Sequence, residues 1–175
     1  MIKITHNAGF FSCCSIKLAT IVNFINSNKR LPDNVDSSKQ FIKYKNDKNK
    51  DVTFDYFEHY KNVPDVNIIH PIEYHNGHQF KNYANLDYKC ITPLIKKYFS
   101  PSTKINKIIN NLEKKYNIVF ANTVAAYYRG TDKSAETKLA SFNDFYNQII
   151  KIVNINKDIN ILLQTDCAQF IDYIN

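Results

Sequence analysis

The spacing of apolar residues divides the first part of the chain into a strand, a turn and a helix. Residues 2–5 (IKIT) form a short strand candidate, and HNAGFFS follows as a turn in which Gly9 permits positive φ or a close approach of the backbone. Helical spacing then begins, and it stops at NSNKRLPDN, where asparagine and proline end a helix. The apolar positions are Phe11, Cys14, Leu18, Ile21 and Ile25. The pattern predicts a β-turn-α unit.

The middle of the chain carries weaker signals. It predicts extended pieces over 40–45 and 66–69 and a short helix over 53–61, whereas HPIEYHNGHQ and ITPLIKKYFSPS are predicted to be loops with short elements. After these segments, Ser102 or Thr103 can cap a helix that has one apolar stripe. The stripe consists of Ile105, Ile108, Ile109, Leu112 and Tyr116.

The pattern becomes regular beyond residue 117. IVFANTVAAYY (118–128) and INILLQT (159–165) are near-continuously apolar, which is typical of parallel strands that are buried on both faces. Between them, Ser141 can cap a strongly amphipathic helix, and Asp166 can cap a further helix. Strands that alternate with helices predict an α/β protein with parallel sheets.

The predicted organisation is a Rossmann-like domain over 1–117 and the opening part of a second domain over 118–175. Two strands and two helices after residue 117 cannot by themselves cover both faces of a sheet. We therefore expect the second domain to be incomplete and the chain to be truncated.

Composition argues against a nucleic-acid-binding protein. Of the 175 residues, 23 are Asn, 23 are Ile and 21 are Lys, a bias that scatters lysine over the surface and weakens any inference from the net charge of +7. The aromatic residues mostly follow core periodicity and do not form a stacking platform for bases. We therefore predict no nucleic-acid partner.

The cysteines and the amino-terminal sequence bear on the cellular compartment. Cys13, Cys14, Cys90 and Cys167 have neither C-x-x-C nor framework spacing, which predicts reduced and mostly buried thiols. MIKITHNAGFFSCC lacks the layout of a signal peptide, and no apolar stretch approaches the roughly 20 residues that span a bilayer. We predict a cytoplasmic, soluble protein with no membrane segment in this chain.

An arginine follows the predicted strand over 118–128. Only Arg30 and Arg129 interrupt the preference for lysine, and Arg129 lies where parallel strands point into the ligand-binding crevice of α/β proteins. A guanidinium grips phosphate oxygens in two parallel hydrogen bonds, which lysine cannot imitate. The alternative is a structural ion pair with Asp132.

The residues after Arg129 add to the phosphate interpretation. Gly130 lets an anion approach the backbone, Thr131 adds a hydroxyl group, and Asp132 can orient Arg129 or Lys133. Pattern alone leaves both phosphate binding and a structural ion pair open.

Histidines offer a competing site. The segment HPIEYHNGH could bind zinc through His70, His75 and His78 with Glu73, but polar loops bring such residues together by chance, and we predict no metal. His6 lies beside Gly9 in the loop after the first strand, which faces the cleft in α/β architectures. A loop histidine without a special role is the alternative for His6.

The segment VAAYYRGTDKSAE (124–136) resembles the sugar-nucleotide motif of fucosyltransferases of the nodulation and α-1,6 types, in which a small-apolar strand precedes H-x-R-R/G-T-D-K and a glutamate. HNAGFFSCCSIKLATIVNFI resembles the first loop and helix of that family, and INILLQTDCAQFIDYI resembles its later strand that ends in T-D-D. The resemblance spans most of the chain in outline and is specific only at 124–136.

The resemblance implies a metal-independent glycosyltransferase of the GT-B type, with two Rossmann-like domains, a nucleotide sugar in the cleft and no cofactor. It would transfer fucose from a guanosine-diphosphate donor to a glycan hydroxyl with inversion. By position, Arg129 would hold the donor pyrophosphate and neutralise the leaving group, while Lys133 would support Glu136 as the acid–base carboxylate. The expected substrate-binding residues are Tyr127, Gly130, Thr131, Asp132, Asp166, His6 and Gly9.

Two positions depart from the family pattern. Tyr127 stands where the family has histidine, and Cys167 stands at the second aspartate of T-D-D. Glu136 has the alternative of a solvated loop residue. A catalytically inactive remnant that still binds a nucleotide sugar is therefore the alternative to an active enzyme.

Overall fold

The computed structural model describes residues 1–63, 67–68, 71–74 and 87–175. The described part is mixed α/β, with six α-helices and two parallel sheets of two strands each. The predicted α/β class is confirmed at this level.

The chain divides into two compact units, Met1–Ile109 (unit 1) and Asn110–Asn175 (unit 2). The division falls within a helix, ahead of the boundary that the sequence predicts between residues 117 and 118.

Unit 1 is built around helix α1 (Phe10–Asn28). Strand β1 (Ile2–Lys3) precedes the helix and strand β2 (Val35–Asp36) follows it, and the two pair in parallel, as the predicted β-turn-α unit requires. Apolar residues of α1 pack with both strands and with helix α3 (Tyr88–Phe99). The buried residues of this core are Ile4, Leu18, Ile21, Val22, Ile25, Val35, Ile72, Ile91, Leu94 and Tyr98. Phe11, predicted to belong to the apolar stripe, is instead 82% exposed.

Two predictions for the middle of unit 1 differ from the structure. Residues 40–45 were expected to be extended, but Ile42–Tyr44 is a short 3-10 turn, because Phe41 adopts a φ of 62° with its ring fully buried. ITPLIKKYFSPS is predicted to be a loop with short elements, but most of it lies in the 12-residue helix α3, with Pro93 inside the helix. The Asp87 carboxylate caps α3 by accepting from the Cys90 N–H at 3.1 Å, and one face of the helix enters the core.

The other middle elements follow the sequence more closely. The predicted short helix over 53–61 is present as α2 (Thr53–Tyr56), with a 3-10 turn at Tyr60–Asn62. The extended piece predicted over 66–69 includes residues outside the described ranges.

Helix α1 also has the length and apolar composition of a membrane-spanning helix. Sequence reasoning missed this, because it judged no apolar stretch to approach that length. In unit 1, seven residues of α1 are buried within the protein. The absence of a membrane segment stays a prediction.

Unit 2 contains a regular β-α-β-α arrangement. Helix α4 (Thr103–Tyr116) leads into it, and the Ser102 hydroxyl accepts from the Ile105 N–H at 3.3 Å, as the predicted cap requires. The elements that follow are β3 (Thr123–Tyr128), α5 (Phe142–Ile155), β4 (Asn160–Thr165) and α6 (Ala168–Ile174). Strands β3 and β4 pair in parallel along their whole length. The Ser141 cap of α5 is confirmed, because its hydroxyl accepts from the Asp144 N–H at 3.0 Å.

The core of unit 2 is small and aromatic. Tyr128, Cys167 and Phe170 are buried, and the rings of Tyr128 and Phe170 lie 4.4 Å apart, centroid to centroid. The prediction that both strands are buried on both faces is wrong, since Tyr127 is 55% and Leu162 is 41% exposed.

Candidate functional site

The site lies where β3 and β4 end side by side. Tyr128, the last residue of β3, pairs with Thr165, the last residue of β4. Arg129 and Asp166 are the next residues in the chain, so the parallel register brings the two to the same edge of the sheet. Carboxyl ends of parallel strands are the usual place for ligands in α/β proteins.

The Asp166 carboxylate holds the turn that follows β3. One oxygen accepts from the Gly130 N–H and the other from the Thr131 hydroxyl, both at 2.7 Å. These hydrogen bonds, the one from Thr131 foremost, hold the pKa of Asp166 below its ordinary value, so the group is an anion at neutral pH. Asp166 was predicted to cap the last helix, but Cys167 is the N-cap, because the Asp166 oxygens are used by the neighbouring turn.

Arg129 is close to this carboxylate without being bound tightly to it. Its Nε lies 4.0 Å from Oδ2 of Asp166, which is longer than a hydrogen bond, and its side chain is 39% exposed. Arg129 is half-buried at the end of a paired strand.

Gly130 is required by packing. A Cβ atom there would lie 2.7 Å from Cε1 of Tyr128 and 2.8 Å from Cβ of Cys167. Sequence reasoning expected the glycine to let an anion approach, but the space beside its Cα is filled by the core of unit 2. Cys167 thus contributes to the turn through contact with Gly130.

The remaining predicted residues of unit 2 form a separate pair and an exposed ring. Lys133 and Glu136 form an ion pair across the 3-10 turn Asp132–Ala135. Tyr127 is exposed, whereas Tyr128 is buried and donates its hydroxyl to the Ala140 carbonyl at 3.0 Å. The side chain of Asp132 lies outside what the structure describes.

His6 and Gly9 belong to unit 1. Nε2 of His6 lies 3.0 Å from the Ser12 hydroxyl, in the first turn of α1. Gly9 has a φ of −58°, and a Cβ atom there would meet no atom within 4 Å, so neither the positive φ nor the close approach that the sequence permits is seen. His6 is therefore held against α1 by Ser12, a partner that the sequence did not indicate.

The predicted alternative at HPIEYHNGH is not described, because His70, His75 and His78 lie outside the described ranges. Among the residues that are described, no group of three or more His, Cys, Asp or Glu side chains is placed to hold a metal ion.

A buried lysine in unit 1 was missed by sequence reasoning. Nζ of Lys17 donates to the Tyr60 hydroxyl at 2.6 Å and lies 4.9–5.1 Å from the ring centroids of Phe57, Tyr60 and Phe99. Burial lowers the pKa of Lys17 to about 8. Its position one helical turn from Cys13 and from Ile21 would have indicated the apolar face of α1.

Two cavities are lined by residues of unit 1 alone. One, of about 530 Å³, is lined by residues that include Asn34, Lys61 and Lys97, and another, of about 290 Å³, is lined mainly by apolar side chains that include Phe57 and Phe99. In unit 2, the candidate site lies at the carboxyl ends of β3 and β4, beside Arg129.

Comparison of the chain with protein-family models, curated proteins and solved structures found no match. The chemistry of the site therefore has to be inferred from its own geometry. The site contains the guanidinium of Arg129 and a turn that the Asp166 carboxylate holds. Glu136, which is paired with Lys133, is nearby in the sequence.

Proposed function

We propose that this chain is a glycosyltransferase-like protein that binds a nucleoside-diphosphate sugar at the carboxyl ends of β3 and β4. The observation that carries the proposal is the half-buried Arg129 beside the turn that Asp166 holds. We further propose a Rossmann-like, GT-B type architecture, and transfer of fucose from a guanosine-diphosphate donor to a glycan hydroxyl with inversion.

Arg129 supplies both the charge and the shape that a diphosphate needs. Its planar guanidinium can donate two parallel hydrogen bonds to phosphate oxygens. Asp166 meets the Gly130 N–H and the Thr131 hydroxyl at shorter distances than it meets Arg129, so its main contacts are with the turn. The turn that carries Arg129 is thereby ordered before any ligand binds, which lowers the cost of binding.

Glu136 is the proposed base for the acceptor. Its carboxylate pairs with Lys133, which positions it beside the turn that follows β3. In the proposed reaction, the acceptor oxygen attacks the anomeric carbon while its proton passes to Glu136. The bond from that carbon to the diphosphate oxygen breaks, and Arg129 stabilises the charge on the departing nucleoside diphosphate.

A second candidate function is nucleotide-sugar binding without turnover. Cys167 favours it, because a buried thiol replaces the carboxylate that the family resemblance expects at this position. The two candidates share the diphosphate site and differ only in chemistry.

Binding is tested by thermal unfolding with guanosine diphosphate. We expect the wild-type midpoint to rise with ligand concentration, because a ligand that binds only the folded state stabilises it. Arg129→Ala should abolish the rise. Arg30→Ala is the matched control, since Arg30 is exposed and pairs locally with Asp33; it should leave the rise unchanged. Equal responses in all three proteins would contradict the proposal.

Turnover separates the two candidates. Release of guanosine diphosphate from guanosine-diphosphate fucose, measured by chromatography, is expected to fall by about 100-fold in Glu136→Gln if the chain is an enzyme. Binding with no release in the wild type would instead assign the non-catalytic function.

A further inference from the structure

Helix α4 carries an apolar strip that the described residues leave largely uncovered. No residue of α4 is buried. Residues three and four apart share a helix face, so the larger apolar side chains form one continuous strip on it. The strip consists of Ile108, Ile109, Leu112 and Tyr116, which are 38–57% exposed. This face belongs to a single helix, so its alignment follows from helix geometry alone.

The same helix is strongly basic. It has four lysines and one acidic residue, Glu113, which give it a net charge of +3. All four lysines are exposed: Lys104, Lys107, Lys114 and Lys115. At about 100° per residue, Lys104 and Lys115 lie on one flank of the strip, whereas Lys107 and Lys114 lie on the opposite face. Long lysine side chains beside an apolar strip can extend along it and place their ammonium groups in a charged layer.

We propose that α4 lies flat on a bilayer that contains anionic phospholipid, with its apolar strip in the headgroup boundary and its flanking lysines on the lipid charges. Charge complementarity favours an anionic lipid surface over a second copy of the chain as the partner of α4. Two copies of the chain that met through α4 would bring like charges together, whereas an anionic lipid surface offers both an apolar layer and a dense negative charge. The site is independent of the proposed diphosphate site.

The test is sedimentation of the full-length protein with vesicles of phosphatidylcholine, with and without phosphatidylserine, at about 0.1 M salt. We expect binding to the mixed vesicles that weakens as salt is added, and little binding to phosphatidylcholine alone. The double variant Lys104→Gln, Lys115→Gln should lower the partition coefficient by about 30-fold, because each lysine near an anionic surface contributes about fivefold. The double variant Ile109→Asn, Leu112→Asn should lower it by about tenfold or more.

Matched controls lie on α5. Lys151→Gln removes an exposed lysine and Ile155→Asn an apolar residue that is 87% exposed, and neither should change the partition coefficient. Far-UV circular dichroism checks that each variant keeps its helices. The proposal is overturned if the wild type does not bind mixed vesicles, binds neutral vesicles equally well, or loses no more affinity in the α4 variants than in the controls. A solution dimer that Leu112→Asn abolishes would assign the strip to self-association instead.

Discussion

Gly130 and Gly9 are identical residues in opposite surroundings. A Cβ atom at Gly130 would meet the Tyr128 ring and Cys167 at less than 3 Å, whereas a Cβ atom at Gly9 would meet no atom within 4 Å. Both glycines have negative φ, so backbone strain does not distinguish them. The two positions differ only in the space available for a Cβ atom, and no local feature of the sequence indicates that space.

Gly130→Ala is therefore expected to destabilise the protein by about 1–3 kcal/mol, the usual cost of overpacking a filled site. Gly9→Ala should stay within about 1 kcal/mol, because reduced freedom of the unfolded chain offsets a weaker helix cap. Urea unfolding of both variants measures the difference. Equal effects of the two substitutions would contradict the packing account of Gly130.

At the scale of elements, α1 combines an apolar face with one buried charge. Lys17 is fully buried within unit 1. Its ammonium group lies against three aromatic rings, of which Tyr60 also accepts its hydrogen bond, and the charges that act on it include those of Asp51 and Cys14. Burial lowers the pKa of Lys17 from 10.5 to about 8 and raises that of Cys14 from 9.0 to about 11. These two shifts act on stability with opposite signs as the pH rises.

Lys17 should make folding more favourable as the pH increases from about 8 to 10.5. In that window the unfolded state binds more protons at this residue than the folded state, so deprotonation favours folding, by about 3 kcal/mol in total. Below pH 8 both states are charged, and the full cost of burial remains.

The contribution is measured by comparing the chain that has Lys17 with Lys17→Met, which retains length and flexibility without a charge. Both proteins carry Cys14→Ala, because Lys17 and Cys14 each shift the pKa of the other. The difference in free energy of unfolding between the two should then change by about 3 kcal/mol across the window. Parallel pH profiles would show that Lys17 does not titrate in the folded core.

Element prediction from the sequence succeeded where local signals and packing agree. The amphipathic pattern after Ser141 and the apolar run before Asp166 predicted α5 and β4 with small errors at their ends. The sequence predicts only loops with short elements where α3 lies. In the structure, the Asp87 cap and the buried face of the helix outweigh the hydrogen bond lost at Pro93.

The candidate site was only partly readable from the sequence. Arg129 could be identified because it follows a strand and departs from the preference for lysine. The role of Asp166 depends on the register of β3 and β4, which brings residues 36 positions apart into contact. Local signals in the sequence therefore predict that Asp166 caps a helix, whereas the pairing of the strands places its carboxylate on the turn that follows β3.

At the scale of the whole molecule, the two units have unequal cores. Unit 1 buries ten residues in its main cluster and adds a second aromatic cluster that includes Phe41 and Phe57. The buried cluster of unit 2 contains three residues, and its strands are partly exposed. Since the hydrophobic effect scales with buried apolar area, we expect unit 2 to be the less stable of the two.

Hydrogen exchange of the full-length protein tests this difference. Amides of β3 and β4 should open with a lower free energy than amides in the buried part of α1, because fewer apolar contacts oppose local opening. Addition of guanosine diphosphate should slow exchange in β3 and β4 alone. Equal protection of the strands and of α1 without ligand would contradict the expected order of stability.

The central claim is that the Arg129 guanidinium binds a diphosphate. The most direct test is calorimetric titration of the protein with guanosine diphosphate and, separately, with guanosine monophosphate. Wild type should bind guanosine diphosphate about 10- to 100-fold more tightly than guanosine monophosphate. This ratio is what charge-assisted hydrogen bonds to the second phosphate contribute. In Arg129→Lys that preference should shrink to about threefold or less, because an ammonium cannot form the paired contact. An undiminished preference in the variant, or no preference in the wild type, would contradict the account.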